Sequence, residues 1–241
     1  MKYKNLFVII LSIIVFSCNS NKKNSETSAS KNEVKIVGAM KNVMWKGELD
    51  GKISLDTISN KKGLYGLGPE SFLTGEILIN NGTAYTSKVL SDSTMIVEKN
   101  AKTSAPFFVY ANSTDWETMM LPKTIKSISD LETFITSKSK NSDAPFVFKL
   151  SGTVNSAEIH IQNLPQGTKV SSPKEAHQGQ INYMLENEAV DIIGFYSTKH
   201  QGVFTHHDSF LHMHLITKDE KKMGHLDNVQ LENVTLFLPK S

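Results

Sequence analysis

From Val34 onward the chain is a series of short runs in which apolar and polar residues alternate, broken by Gly, Asn, Asp and Pro. A period of two places alternate side chains on one face of a strand, so "VKIVGAM", "GEILINNGTAYTSKV", "PFFVYA", "PFVFKLSGTV" and "AEIHIQN" are predicted strands. Asn81-Gly82 separates two apolar-alternating flanks and predicts a tight hairpin, because both residues accept the left-handed backbone such a turn needs. Two stretches break the pattern toward helix. In "SISDLETFITSK", Ser129 is followed three residues later by Glu132, a capping box opening a short amphipathic helix. In "SSPKEAHQGQINYML", Ser172 precedes Pro173 with Glu175 following, and Gly179 weakens the helix beyond them. The sequence contains no internal repeat. Many strands with few helices predict an α+β fold of mixed, largely antiparallel sheets, in two regions meeting near residues 140–150.

The N-terminus follows another logic. "MKYKNLFVIILSIIVFSC" has a basic start, an apolar run from Leu6 to Phe16, then a small residue and a cysteine. That is the pattern of a secretory signal, too short and wrongly flanked for a stable spanning helix. "VFSC" resembles a bacterial lipobox, which implies cleavage after residue 17 and lipidation of Cys18. Residues 18–33, rich in Ser, Asn and Lys, read as a polar tether that cannot build a core, and 34–241 as the folded domain. The expected location is that of an exported bacterial lipoprotein, anchored to a membrane through its acyl chains. Cys18 is the only cysteine, so the mature fold is expected to contain no disulfide. Formal net charge is +2, and Lys2 and Lys4 lie in the segment expected to be removed. A near-neutral remainder offers no electrostatic reason to bind nucleic acid.

Five of the eight histidines fall in "HHDSFLHMHLITKDEKKMGHLDN", residues 206–228. "FLHMHLIT" predicts a strand with His212 and His214 on one face, "KDEKK" a polar turn, and "MGHLDNVQL" the returning strand. A turn centred between Asp219 and Glu220 sets His214 opposite His225 and His212 opposite Asp227, all on one face. Directly opposed Cβ atoms stand roughly 4.5–5.5 Å apart, close enough for imidazoles to converge on an ion at about 2.0–2.1 Å. Three neutral nitrogens would leave one zinc position open for water or substrate, with Asp227 fixing one imidazole's tautomer. A lone His-x-His usually reflects a solvated strand face; the third, cross-strand histidine brings a metal site level with that reading, and the pattern alone leaves both open. His206 and His207 read as loop residues beside the site. His160, His177 and His200 carry no spacing argument and read as surface or satisfied core histidines.

"HMHLITKDEKKMGH" resembles the segment of α-acetolactate decarboxylases in which a His-x-His is followed, eleven positions on, by the histidine of a Gly-His pair. "GLYGLGPESFLTGEILINNGTAY" is similar to that family's "GLG…L-x-GE" stretch, hairpin and tyrosine, and "IIGFYSTKHQGVF" to its Gly-Phe segment. The similarity runs in order from about Val34 to Leu238. It implies two α/β regions built on mixed sheets with a metal near their junction. It implies one Zn²⁺ per chain on His212, His214 and His225, and Glu76 as the active-site acid. The implied reaction is decarboxylation of 2-acetolactate, or a related 2-hydroxy-3-oxo acid, to acetoin. A cation would stabilise the enediolate left by CO₂, and a carboxylic acid would protonate one face of it. Three features depart from the family. Pro69 stands where a threonine is usual; Gln162 stands where an active-site arginine is expected; and the sequence ends at Ser241, short of the family's tail and its glutamate. Gln162 could hydrogen-bond a carboxylate but offers no charged fork. The alternative is a lipid-anchored metal- or ligand-binding protein on the same fold. A cupin fits less well, since Thr217 and Lys218 occupy the spacing of its glutamate. The expected partners are a small-molecule substrate, a membrane through the anchor and a second copy in a homodimer, but not nucleic acid.

Overall fold

The computed structural model describes residues 32–139 and 144–240; the signal peptide, Cys18 and nearly all of the tether lie outside them. In chain order the elements are β1 (Val34–Val37), α1 (Met40–Lys46), β2 (Ile53–Ser54), β3 (Leu64–Pro69), β4 (Glu76–Asn80), β5 (Thr83–Ser91), β6 (Thr94–Lys99), β7 (Ser104–Ala105) and β8 (Phe108–Asn112). They continue with β9 (Trp116–Met120), α2 (Ile128–Lys138), β10 (Phe146–Ile161), α3 (Pro173–Ala176), β11 (Ile181–Tyr196), β12 (Leu211–Thr217) and β13 (Met223–Pro239). Among the described residues no helix is long and apolar enough to cross a membrane.

Two sheets carry the fold, and every ladder between named strands in them is antiparallel. The first has six strands in the order β1-β8-β3-β4-β5-β6. The second runs β10-β11-β12-β13-β9, and β10 also pairs with β13, so its four long members close on themselves. The chain passes between sheets from Asn112 to Trp116, ahead of the 140–150 stretch. "PFVFKLSGTV" and "AEIHIQN" are one continuous strand, β10, which β13 follows across register shifts near Thr153 and Glu158.

The two sheets pack face to face. Tyr65, Leu67, Leu78 and Val109 of the first meet Val147, Ile193, Phe195 and Ile216 of the second. The opposite face of the first sheet is also covered: Leu64, Ile77, Ile79 and Phe108 pack on Leu55 and Ile58. A strand buried on both faces reads as a continuous apolar run, as β3 and β4 do. Asp191 ties the layers from the side, accepting from Asn80 Nδ2 at 3.1 Å and from Lys218 Nζ at 2.6 Å. The hairpin at Asn81-Gly82 forms, with φ of 49° and 87°.

Three local expectations are corrected. The capping box of α2 is Ser127 with Asp130, not Ser129 with Glu132: Ser127 Oγ accepts from Asp130 N at 3.1 Å and the carboxylate accepts from Ser127 N at 3.0 Å. Glu132 is thereby free for another task, described below. The run "VKIVGAM" is a strand only to Val37; Gly38, at φ 66°, turns the chain into α1. That helix has no side-chain cap, so nothing local announced it. Its first amides instead donate to Val203 and Gly202, each at 2.8 Å. The helix at Ser172 forms as expected but is only Pro173–Ala176 long.

Candidate active site

Period two decides where the histidines go. On β12, Met213 and Leu215 enter the core of the closed sheet, while Ile216 joins the layer between the sheets. His212 and His214 share the face of Ile216 and therefore look toward the first sheet. The turn has the expected register: His214 lies opposite His225, Leu215 opposite Gly224 and Ile216 opposite Met223. Across the other edge of β13, His225 is also opposite His160 of β10. One row across three strands thus reads His214, His225, His160.

The ladder does not extend to His212 and Asp227. β13 is irregular beside Glu158, and the Asp227 carboxylate turns to His160, both oxygens 2.8 Å from Nδ1. Its distance to His225 Nε2 is 3.8 Å. Asp227 therefore orients His160 rather than one of the three histidines.

His212, His214 and His225 are buried, and each offers a nitrogen within 4.8 Å of the others'. Nδ1 of His212 and both nitrogens of His214 have no hydrogen-bond partner. Buried polar atoms without partners are rare, and a cation shared by the three rings would take up one nitrogen of each. Burial pushes all three pKa values down, that of His214 to about 3, with neighbouring histidines adding to the effect. The rings are neutral near pH 7, the form that donates a lone pair to a metal. The donor set fits a metal ion of the zinc type.

Glu76 begins β4, directly after Gly75, and is buried. Its Oε1 accepts from the Gln162 backbone N–H at 3.2 Å, and its Oε2 lies 3.7 Å from His214 Nε2. Burial raises its pKa well above the ordinary carboxylate value; the Gln162 N–H opposes this, and Asp227 and Glu70 reinforce it. Burial favours the neutral form of both the imidazole and the carboxyl group at this contact. Gln162 reaches Gln180 Oε1 at 3.3 Å and His160 Nε2 at 3.4 Å through Nε2, and its own Oε1 is unpartnered.

These groups, His214 excepted, line a cavity of about 240 Å³ between the sheets and the helices α1 and α3. Glu76, His160, Gln162, His206, His212 and His225 line its floor, with Met40, Met44, Leu73 and Phe107 forming apolar walls. Pro69 lines it too, and offers no hydroxyl. The sequence contains no arginine, and among the described lining residues the lysine is Lys41. His160 and His177 also line it. His160 is buried with Nδ1 2.8 Å from the Asp227 carboxylate and His177 is exposed, in keeping with their reading as satisfied core and surface histidines. His200 matches that reading, its Nδ1 2.7 Å from Ser197 Oγ and its ring stacked on Phe204.

The sequence profile of the family Alpha-acetolactate decarboxylase matches residues 37–240. The chain belongs to the alpha-acetolactate decarboxylase family. A curated relative, the alpha-acetolactate decarboxylase of Brevibacillus brevis, is 24% identical over 196 residues, covering 81% of this chain and 66% of the relative. The match thus spans slightly under two thirds of that protein's length. The crystal structure of alpha-acetolactate decarboxylase from Bacillus subtilis strain 168 superposes with a TM-score of 0.72 at 23% identity, over 87% of this chain and 86% of that one. A Staphylococcus aureus protein of unknown function, described as similar to alpha-acetolactate decarboxylase, superposes at 0.73 with 18% identity, over 86% and 84%. These structures share the fold: largely antiparallel sheets with few short helices.

Proposed function

We propose that this chain is a metal-dependent decarboxylase that converts 2-acetolactate, or a related 2-hydroxy-3-oxo acid, to acetoin or its analogue. The observation that carries the reading is a set of three buried imidazoles with nitrogens within 4.8 Å of one another, two of which line one cavity with a buried carboxyl group, in a chain of this family. His212, His214 and His225 would hold one zinc ion. When bound, the ion supplies a Lewis acid for the negative charge that develops on oxygen as CO₂ departs.

The remaining steps belong to the chain. Breaking the carbon–carboxylate bond releases CO₂ and leaves its electron pair behind; uptake of one proton at that carbon completes the product. Glu76 is the proton donor. Because its Oε1 already accepts from Gln162 N–H, the proton sits on Oε2, the oxygen turned toward His214. Gln162 and His160 offer hydrogen bonds to substrate oxygens from the adjacent wall, and the apolar side chains of α1, Leu73 and Phe107 limit water. A second reading draws support from Pro69 and from the absence of arginine, which leave the substrate side without a hydroxyl at that position or a charged fork. In that reading the chain binds a metal or ligand without turnover. Zinc-loaded full-length chain should form acetoin from racemic acetolactate and lose that activity with a chelator. Tight zinc binding with no release of CO₂ from acetolactate or from related 2-hydroxy-3-oxo acids would establish the second reading.

The proposal extends to location: the lipobox-like "VFSC" supports export and anchoring through Cys18. Cys18→Ser should abolish lipid labelling and release the protein from membranes. Unchanged membrane association would point to an uncleaved helix instead.

A further inference from the structure

The loop from Ser197 to Phe210, between β11 and β12, is tied down on two sides. The amides of Met40 and Lys41 at the start of α1 donate to Val203 and Gly202. On the other side, Glu132 of α2 accepts from Ser209 Oγ at 2.5 Å and from Phe210 N at 2.8 Å. Within the loop, Gln201 Nε2 donates to the His207 carbonyl at 3.0 Å. His206 stands between these anchors. It lines the same cavity as His212 and His225, and its ring centroid is 5.8 Å and 4.9 Å from theirs. Its Nε2 is 3.1 Å from His225 Nε2.

Two imidazole nitrogens this close either share a proton or share a cation. Nitrogens that share one ion at about 2.0–2.1 Å are separated by about 3.3 Å, within a few tenths of the spacing of this one pair. The nitrogens that already lie within 4.8 Å of one another are those of His212, His214 and His225, so His206 would join them by a shift of its side chain. A shared proton would occupy the nitrogen that His225 turns toward this loop histidine. We propose that His206 is a fourth nitrogen donor to the cation held by His212, His214 and His225, carried by an anchored loop where the other three are carried by strands. This rests on the metal-cradle reading above. With four protein nitrogens in reach of the ion, substrate oxygens would have to share it with His206 or take its place. His214 and His225 are fixed by ladders on both sides and His212 by its ladder to β11, whereas His206 is held only through the anchors of its loop.

The test uses the full-length chain loaded with Co²⁺, whose visible bands report donor type, and with Zn²⁺ against a chromophoric chelator. Replacing a nitrogen donor by water weakens the ligand field. His206→Ala should therefore move the cobalt bands to longer wavelength and weaken zinc binding by about 10-fold or more, and added imidazole should restore the wild-type bands. His206→Gln, which fills the space without an imidazole, should show the same shift, so a folding defect in one variant does not decide the question. Wild-type bands and wild-type zinc affinity in both variants would overturn the fourth donor. His212→Ala separates the two levels. If it loses zinc while the His206 variants keep it, only this inference fails; if it too binds as wild type, the cradle itself is wrong.

Discussion

The two sheets contribute to the cavity in different ways. The closed sheet presents imidazoles from adjacent strands, and His214, His225 and His160 form one row whose spacing the ladders dictate. The six-stranded sheet presents a single carboxyl group, Glu76, at the start of one strand. Holding an ion is a problem of mutual geometry, so its ligands belong on paired strands that cannot shift relative to one another. Carrying a proton is a problem of environment: Glu76 needs burial and one amide donor, and both come from packing against the other sheet. The comparison separates a sheet that positions from a sheet that supplies one chemically tuned group.

The sharpest way to break that division is to damage each side alone. His212→Ala or His225→Ala should strip the metal, taking its content from about one zinc per chain to near zero after dialysis, and turnover with it. A variant that keeps stoichiometric zinc would remove its residue from the positioning side. Glu76→Gln on the other sheet should keep the metal yet lower turnover by about 10²–10⁴-fold, the usual contribution of a general acid. The loss should fall on kcat, since the group acts as charge develops rather than on substrate binding. Wild-type activity in this variant would remove Glu76 as the proton donor and leave the metal side of the division standing.

Much of the closed sheet was legible because its signals are local. Alternation placed His212 and His214 on one face, and the polar turn at Asp219-Glu220 placed His225 opposite His214, where it stands. Legibility ended where the ladder became irregular. The register shift beside Glu158 redirects Asp227 to His160, and nothing in "GHLDN" announces a shift set by the partner strand. His160 carried a usable signal: Ile159 and Ile161 enter the core, so His160 and Gln162 must share the other face. Placing Gln162 at the site therefore implied His160 beside it. Helix α1 and the His206 loop had no such signal. Each satisfies the other's backbone across more than 150 residues of sequence, and Glu132, which looked like a local cap, spends its carboxylate on that loop.

Gln162 tests the seam between the two contributions. It follows β10 of the closed sheet, yet its backbone N–H holds Glu76 of the other. Substituting its side chain leaves that backbone bond in place, so the acid should stay positioned while the polar wall changes. Gln162→Arg puts a guanidinium on a cavity wall where Gln162 Oε1 now lacks a partner, offering a bidentate fork to the substrate carboxylate. We expect KM for acetolactate to fall by a few-fold, with kcat within about a factor of a few, because a fork that binds ground state and transition state alike changes affinity and not the chemical step. Lys41→Ala is the comparison, since Lys41 is the cationic residue at the cavity. If Lys41→Ala raises KM and Gln162→Arg leaves it unchanged, the carboxylate is recognised at α1, and Gln162 serves the site only through the amide it gives to Glu76.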